Sequence, residues 1–197
     1  MAKISSLNGW NYIVYQLVVN NFKNDVFSLN KLYEFEHDFK RIYPANFHVK
    51  DKIRQILQNL RDEGFIQFLG DGLYKVQSKS LFKDIDPTDK EINYVYLLSN
   101  SSIPDWVKIG RTNDLERRLK ELYNTSIPTP FKLEDSIKTE NMNKAIIVEK
   151  SIHTLIDNLN PMLRKETEAK NREFFKISVP LGKDLFGLAT KIINQGH

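Results

Sequence analysis

The fold of the second half of this chain is decided by residues 106–122, which read WVKIGRTNDLERRLKEL. Alternating apolar residues predict a strand over Trp106–Arg111, and leucines three or four residues apart from Leu115 onward predict an amphipathic helix. Asn113, followed three residues later by Glu116, is typical of a helix start. A strand that leads at once into such a helix predicts a domain in which helices pack on a sheet.

The sequence on either side of this stretch predicts the rest of a domain that we place at residues 92–197. The further elements are strands at Asn93–Ser99, Phe131–Lys138 and around Phe174–Ser178, and helices at Asn143–Leu159 and Lys183–Ile193. We expect a mixed or antiparallel sheet flanked by helices, so the fold class is α+β.

The first 78 residues predict a separate, smaller domain. Helical patterns cover Trp10–Phe22, Leu29–Ile42 and the stretch from Val49 to Gly64, and strands at Phe65–Leu69 and Leu73–Val76 flank a Gly-Asp-Gly turn. Helices followed by a β-hairpin are the element order of a winged helix, which lays its last helix in the DNA major groove. Residues 79–91 lack periodicity and contain Asp-Pro, so we interpret them as a linker.

The helix that begins at Val49 is the candidate DNA-reading element. Its apolar residues share one face, and its outward residues are Lys50, Lys52, Arg54, Gln55, Gln58 and Arg61. Cations suit phosphate oxygens and amides suit base edges, so this face predicts binding to double-stranded DNA. An ordinary solvated helix face remains the alternative.

Composition limits the classes of protein. The 197 residues are 41% hydrophobic and 27% charged and contain no cysteine, which predicts a globular chain and excludes disulfides and thiolate metal sites. There is no apolar run long enough to span a membrane and no apolar core of a secretion signal, so we expect a cytoplasmic protein. Lys and Arg outnumber Asp and Glu by 12 to 8 before residue 84 and equal them at 17 each from residue 84 onward. This surplus fits either a polyanion-binding first domain or a solvated surface.

Two charged residues of the second domain lie at the margins of apolar helix stripes. At 100° per residue, Arg118 is about 40° from Leu122 and Glu149 is about 20° from Ile156. A charge there costs free energy unless a partner compensates it. Both are therefore candidate functional residues, and a salt bridge at the edge of the core or a snorkelling arginine is the structural alternative.

Four ordered blocks of the second domain resemble one enzyme family. YVYLLSN from Tyr94, WVKIGRTNDLERRLKEL, AIIVEKSIH from Ala145 and NREFFKI from Asn171 resemble the GIY-YIG nucleases, in the branch with KIG and NREFF. The first motif is Tyr94-Val95-Tyr96, with Tyr94 where glycine is usual. In the second motif, Lys108 replaces the family's second tyrosine.

The resemblance implies roles for several residues. Tyr96 stands at the functional tyrosine, Arg118 matches the helical arginine, Glu149 matches the metal-binding acid, and Asn171 matches an asparagine used by some members. His153 lies one turn after Glu149, and it either orients phosphate or the acid or is a structural histidine.

The first domain has a resemblance of its own. Residues 47–76, FHVKDKIRQILQNLRDEGFIQFLGDGLYKV, are similar to the winged helix attached to restriction endonucleases that recognise methylated adenine. The two resemblances together imply a restriction-type DNA endonuclease, and whether methylation is required or forbidden is left open. Cutting both strands implies a homodimer or two sequential nicks.

The implied chemistry is hydrolysis with one divalent cation, Mg²⁺ or Mn²⁺, held by Glu149, the scissile phosphate and waters. Arg118 would stabilise charge on the phosphate. Tyr96 would act as the general base, with Lys108 either lowering the pKa of Tyr96 or acting as the base itself.

Three other functions fit part of the pattern. The first is a DNA-binding regulator with an inactive nuclease-like domain, which fits the departures from the family motifs at Tyr94 and Lys108. The second is a mobile-element or repair nuclease, which would use the same chemistry on branched or nicked DNA. The third is a protein-interaction module, which would need no nucleic acid. A charged loop would either grip the DNA backbone or be solvated, and its basic residues are Arg164, Lys165, Lys170 and Arg172.

Overall fold

The computed structural model describes residues 7–22, 25–77, 91–163 and 173–193. The chain divides into two compact units, Met1–Ile85 with Thr190–His197, and Asp86–Ala189. Both units combine helices with antiparallel strands, so the α+β fold class is confirmed. Apart from Glu91, the predicted linker lies outside the described residues, as do Asn171 and the basic residues of the charged loop. None of the described helices has the length and apolarity that crossing a membrane requires.

The first unit is a helical bundle with a small sheet. Its elements are α1 (Gly9–Phe22), β1 (Val26–Ser28), α2 (Leu29–Tyr33), α3 (Glu36–Ile42), α4 (Val49–Asp62), β2 (Ile66–Gly70) and β3 (Leu73–Val76). The predicted apolar face of α4 is buried, as expected, through Val49, Ile53, Ile56, Leu57 and Leu60. Gly64, with a φ of +78°, follows the end of α4 in the left-handed conformation that glycine adopts without strain.

Two details of this unit differ from the prediction. The single helix expected over Leu29–Ile42 is wrong: between α2 and α3, the N–H groups of Glu34 and Phe35 bond to carbonyls three residues back, which interrupts the α-helical ladder. The hairpin is also extended by β1, which pairs with β3 in the sheet order β1-β3-β2. Three residues are too few to show alternation, so β1 carries no sequence signal.

The second unit is a sheet with helices on its faces. Its elements are β4 (Asn93–Ser99), β5 (Val107–Thr112), α5 (Leu115–Leu122), β6 (Lys132–Thr139), α6 (Met142–Leu159), a 3-10 turn (Pro161–Leu163), β7 (Phe174–Phe175) and residues 179–189 of α7 (Val179–Ile193). The strand order is β6-β4-β5-β7, and the described pairings are antiparallel. Helix α7 begins four residues before the predicted Lys183.

The start of α5 differs by one residue from the prediction. The N-cap is Asp114, whose carboxylate accepts the backbone N–H of Arg117 at 3.0 Å, and Asn113 is not the cap. The side chain of Asn113 instead accepts a hydrogen bond from Arg117 Nη2 at 2.9 Å and donates one to Glu91 at 2.6 Å. Two adjacent residues of good capping type make the sequence ambiguous here.

Helix α5 rests on the sheet without a fully buried residue. Its leucines, together with neighbouring apolar residues, pack on a cluster formed by Tyr96, Leu98 and Phe131. This packing fixes the face of α5 that carries Arg118 above the middle of β4.

Candidate active site

The centre of the site is the cross-strand pair Tyr96 and Gly110. The Tyr96 ring is fully buried and lies across the backbone of β5. A Cβ atom built on Gly110 would stand 2.6 Å from the Tyr96 hydroxyl and 2.7 Å from Glu173 Oε2. Any other residue at position 110 would therefore displace the hydroxyl, which gives the glycine of the KIG motif a steric reason.

Arginine, lysine and tyrosine side chains converge on one carboxylate, that of Glu173. Its Oε2 atom accepts Lys108 Nζ at 2.9 Å, lies 3.5 Å from the Tyr96 hydroxyl and lies 3.8 Å from Arg118 Nη2. Arg118 Nε also donates to the Tyr96 hydroxyl at 3.1 Å. The carbonyl oxygen of Glu173 accepts the N–H of Ile109, which fixes Glu173 against β5. We call Tyr96, Lys108, Arg118 and Glu173 the tyrosine cluster.

The tyrosine cluster holds Tyr96 in its neutral form. Burial raises the pKa of Tyr96 above its ordinary value of 10.0, the hydrogen bond from Arg118 opposes this rise, and the charge of Glu173 adds to it. Lys108 is paired with Glu173, and the expectation that Lys108 lowers the pKa of Tyr96 stays a prediction. The pKa of Arg118 is raised chiefly by its hydrogen bond to Tyr96, so its guanidinium is charged.

Glu149 is placed by α6, buried, and paired with Arg111 of β5. Burial raises the pKa of Glu149 above 4.5, and the adjacent Arg111 guanidinium opposes this shift. The charges of Glu173 and Lys108 also act on Glu149, and Glu149 acts on Tyr96. Glu149 and the tyrosine cluster therefore influence each other through their charges, and this influence does not depend on a direct contact between Glu149 and Arg118.

An open cleft of about 370 Å³ lies beside these groups. Strand β7 pairs with Val107 and Lys108 of β5. The cleft lies further along β5, at Arg111 and Thr112. Its lining residues are Arg111, Thr112, Asn113, Arg117, Arg118, Glu121, Met142 and Glu173. Guanidinium groups on the walls of an open cleft suit an extended polyanion such as a sugar-phosphate chain.

Glu149 is the candidate ligand for a divalent cation. Within residues 7–22, 25–77, 91–163 and 173–193, no three histidine or carboxylate side chains gather into a metal cage. Glu149 offers one buried carboxylate close to the cleft. Such a site suits a hard ion that keeps part of its hydration and takes a further ligand from the substrate phosphate.

His153, another predicted catalytic residue, packs against β7. The His153 ring packs on Phe175 with ring centroids 4.8 Å apart, which favours the structural role for His153. Asn171 lies outside the described residues, so its role stays a prediction.

Sequence reasoning missed Glu173, Arg111 and Gly110. Glu173 had a signal, since an acid directly before two buried or half-buried phenylalanines is poorly placed unless a cation meets it. Arg111 had none, because its partner Glu149 is 38 residues away in the chain.

The outward residues of α4 differ in their partners. Lys50 pairs with Glu36 at 3.2 Å, and Arg54 Nη2 donates to the Tyr33 hydroxyl at 3.3 Å, so both lean towards α2 and α3. Lys52 and Gln55 bond to each other at 3.1 Å and line an open hollow of about 340 Å³. The other residues that line this hollow are Asn46, His48 and Asp51.

The remaining predicted DNA-binding residues lie further along α4. Arg61 bonds to the adjacent Asp62, and Gln58 is exposed. The hollow beside Lys52 and Gln55 is lined by polar side chains that can donate or accept hydrogen bonds at base edges.

Comparison with known protein families matches each half of the chain. Residues 6–76 match the model of the Dam-replacing HTH domain, DpnI_C, and residues 93–189 match the model of the T5orf172 domain. The HTH match supports DNA binding by the first unit. The two matches together support a DNA-binding domain fused to a nuclease-type domain.

Proposed function

We propose that this chain is a sequence-specific DNA endonuclease of a restriction system, with a GIY-YIG-type active site in the second unit. The observation that carries the proposal is the assembly of Tyr96, Lys108, Arg118 and Glu173 beside an arginine-lined cleft. A hydroxyl bonded to a carboxylate can take a proton from water, and a neighbouring guanidinium can stabilise charge on a phosphate.

In the proposed reaction, a water oxygen bonds to phosphorus and the leaving oxygen departs with its electron pair. Tyr96 is neutral, so its hydroxyl positions the water and accepts the water's proton as its own proton passes to Glu173. Lys108 holds Glu173 in place for this transfer, and the Arg118 fork stabilises the charge on the phosphate. Lys108 as the base is disfavoured by its pairing with Glu173 at 2.9 Å.

Glu149 is the proposed ligand of one divalent cation, Mg²⁺ or Mn²⁺, which would supply positive charge at the phosphate and the leaving oxygen. Because the chain offers a single carboxylate there, metal binding without DNA is expected to be weak. DNA would contribute the missing oxygen ligand.

In this proposal, the first unit recognises the DNA target sequence. Lys52 and Gln55, beside the hollow on α4, are the proposed base-reading residues, and the flanking cations contact phosphates. The proposed target is double-stranded DNA in the cytoplasm, in which adenine methylation is either required for cleavage or forbids it, and a homodimer would bring two active sites to the two strands.

Plasmid digestion tests the proposal. Methylated and unmethylated plasmids are incubated in Mg²⁺ with wild type and with Glu149→Ala, and we expect wild type to cut and Glu149→Ala to bind DNA without cutting. Cleavage that persists in Glu149→Ala would overturn the metal assignment. Cleavage of branched or nicked DNA alone would assign the protein to mobile-element or repair nucleases.

A second candidate is a DNA-binding regulator with an inactive nuclease-like domain. It is favoured by the burial of Tyr96 beneath its partners and by the pairing of Arg111, Arg117 and Arg118 with acids of the same unit. Tight, specific DNA binding by wild type, with no cleavage of any DNA in Mg²⁺ or Mn²⁺, would select the regulator.

A further inference from the structure

Arg111 stands between the metal-ligand candidate and the solvent. The Glu149 side chain is 9% exposed and is not part of the cleft wall, whereas Arg111 is 40% exposed and lines the cleft. Arg111 Nη1 donates to Glu149 Oε2. A ligand that approaches Glu149 from the cleft must therefore displace the Arg111 guanidinium.

The ion pair between Arg111 and Glu149 has an electrostatic cause. A buried carboxylate is costly without a cation, and Arg111 supplies that cation inside the fold. A divalent ion would meet the same carboxylate with a stronger charge, and it would repel the guanidinium at close range. The two cations are therefore alternatives at Glu149.

We propose that Arg111 is a substrate-binding residue that holds Glu149 until a divalent cation takes its place, and then binds a DNA phosphate beside the scissile one. The inference rests on the proposed function, because it takes Glu149 as the metal ligand.

The position of Arg111 suits its second partner. Arg111 and Arg118 both line the cleft, so a chain of phosphates that engages Arg118 passes close to Arg111. The arginine stem is long and flexible, and its planar fork matches two phosphate oxygens. When the metal binds Glu149, Arg111 would become free to bind a DNA phosphate. Metal binding would in this way strengthen DNA binding.

Mn²⁺ binding without DNA is the first test, measured by calorimetry on the full chain. We expect Arg111→Met to bind Mn²⁺ at least about tenfold more tightly than wild type, because the competing cation is gone. Arg117→Met is the matched control: it removes one charge from the same cleft, but Arg117 pairs with Glu121 and Asn113 and leaves Glu149 untouched. Equal Mn²⁺ affinity in Arg111→Met and Arg117→Met would overturn the inference.

Other variants keep the test decisive. If Arg111→Met does not fold, Arg111→Gln carries the test, since glutamine keeps a hydrogen-bond donor for Glu149 but removes the competing charge, and Mn²⁺ should then bind more tightly than to wild type. Mn²⁺ binding that survives Glu149→Ala would overturn the metal assignment of the proposed function. Binding that is lost in Glu149→Ala but equal in wild type and both Arg111 variants would overturn the Arg111 inference alone.

Salt dependence of DNA affinity is the second test, and a purely structural Arg111 would not affect it. With Ca²⁺, the slope of log affinity against log salt should fall by about 0.9 in Arg111→Met, the value for one lost phosphate contact. In EDTA the slope should equal that of wild type, because Arg111 then stays on Glu149. The same change in both conditions, or in neither, would contradict the inference.

Discussion

Replacing Gly110 by alanine tests the steric relation on which the active site depends. The new methyl group would stand 2.6 Å from the Tyr96 hydroxyl, whereas ordinary contact begins at 3.4 Å. The hydroxyl must therefore move by about 0.8 Å, and displacements of about 1 Å in an active site cost about a hundredfold in rate. We expect single-turnover plasmid cleavage by Gly110→Ala to be slower by about that factor, with a loss of about 1 to 3 kcal/mol in stability from overpacking.

Two other glycines of the same unit provide matched controls. At Gly182 the added methyl group would meet the tip of Leu97 at 2.8 Å, so Gly182→Ala should lose stability and keep its cleavage rate. At Gly187 the space is open, so Gly187→Ala should gain about 0.5 to 1 kcal/mol from helix propensity. A folded Gly110→Ala that cleaves as fast as Gly182→Ala would refute the placement of Tyr96 over β5.

Further predictions concern single charges of the second unit. Arg118→Ala should reduce cleavage by about a hundred- to a thousandfold, or roughly 3 to 4 kcal/mol, and circular dichroism should show an intact fold; a loss below tenfold would contradict its role at the phosphate. Glu173→Gln should slow single-turnover cleavage by about a hundredfold or more while DNA affinity is kept, and an unchanged rate would remove Glu173 as the proton acceptor. Lys132 and then Ser99 lower the pKa of Glu134, so its stabilising effect is present above the unfolded pKa of about 4.3 and is lost as pH falls through the folded pKa. Urea unfolding should accordingly show wild type more stable than Glu134→Gln at pH 7, with the difference vanishing near pH 3, and an equal difference at both pH values would argue against the ion pair.

The sequence predicted those helices and strands that are long enough to show a hydrophobic repeat within the element itself. The apolar face of α4 and the bounds of β4 were confirmed, because each follows from spacing within one element. The short strand β1 was not predicted, since its stability comes from β3, 47 residues away along the chain. A pattern within a few neighbouring residues cannot predict that two strands so far apart in the chain will pair.

The candidate site also combines residues that the sequence could predict with contacts that it could not. Arg118 and Glu149 could be selected from helical periodicity, because a charge at the margin of an apolar stripe is a local anomaly. Their partners could not, since the contact from Arg118 to Tyr96 and the contact from Arg111 to Glu149 depend on how separate elements pack. The neutral state of Tyr96 also depends on burial, which no spacing rule gives.

Helix α5 carries Arg118 but has only half-buried leucines beneath it. Such an element has a low local free energy of opening, so it can detach briefly while the sheet stays intact. Warming should therefore silence the chemistry before the domain melts, in a reversible step that calorimetry of global unfolding would not record. The helix that carries the proposed phosphate-binding arginine is therefore expected to open before the rest of its domain unfolds.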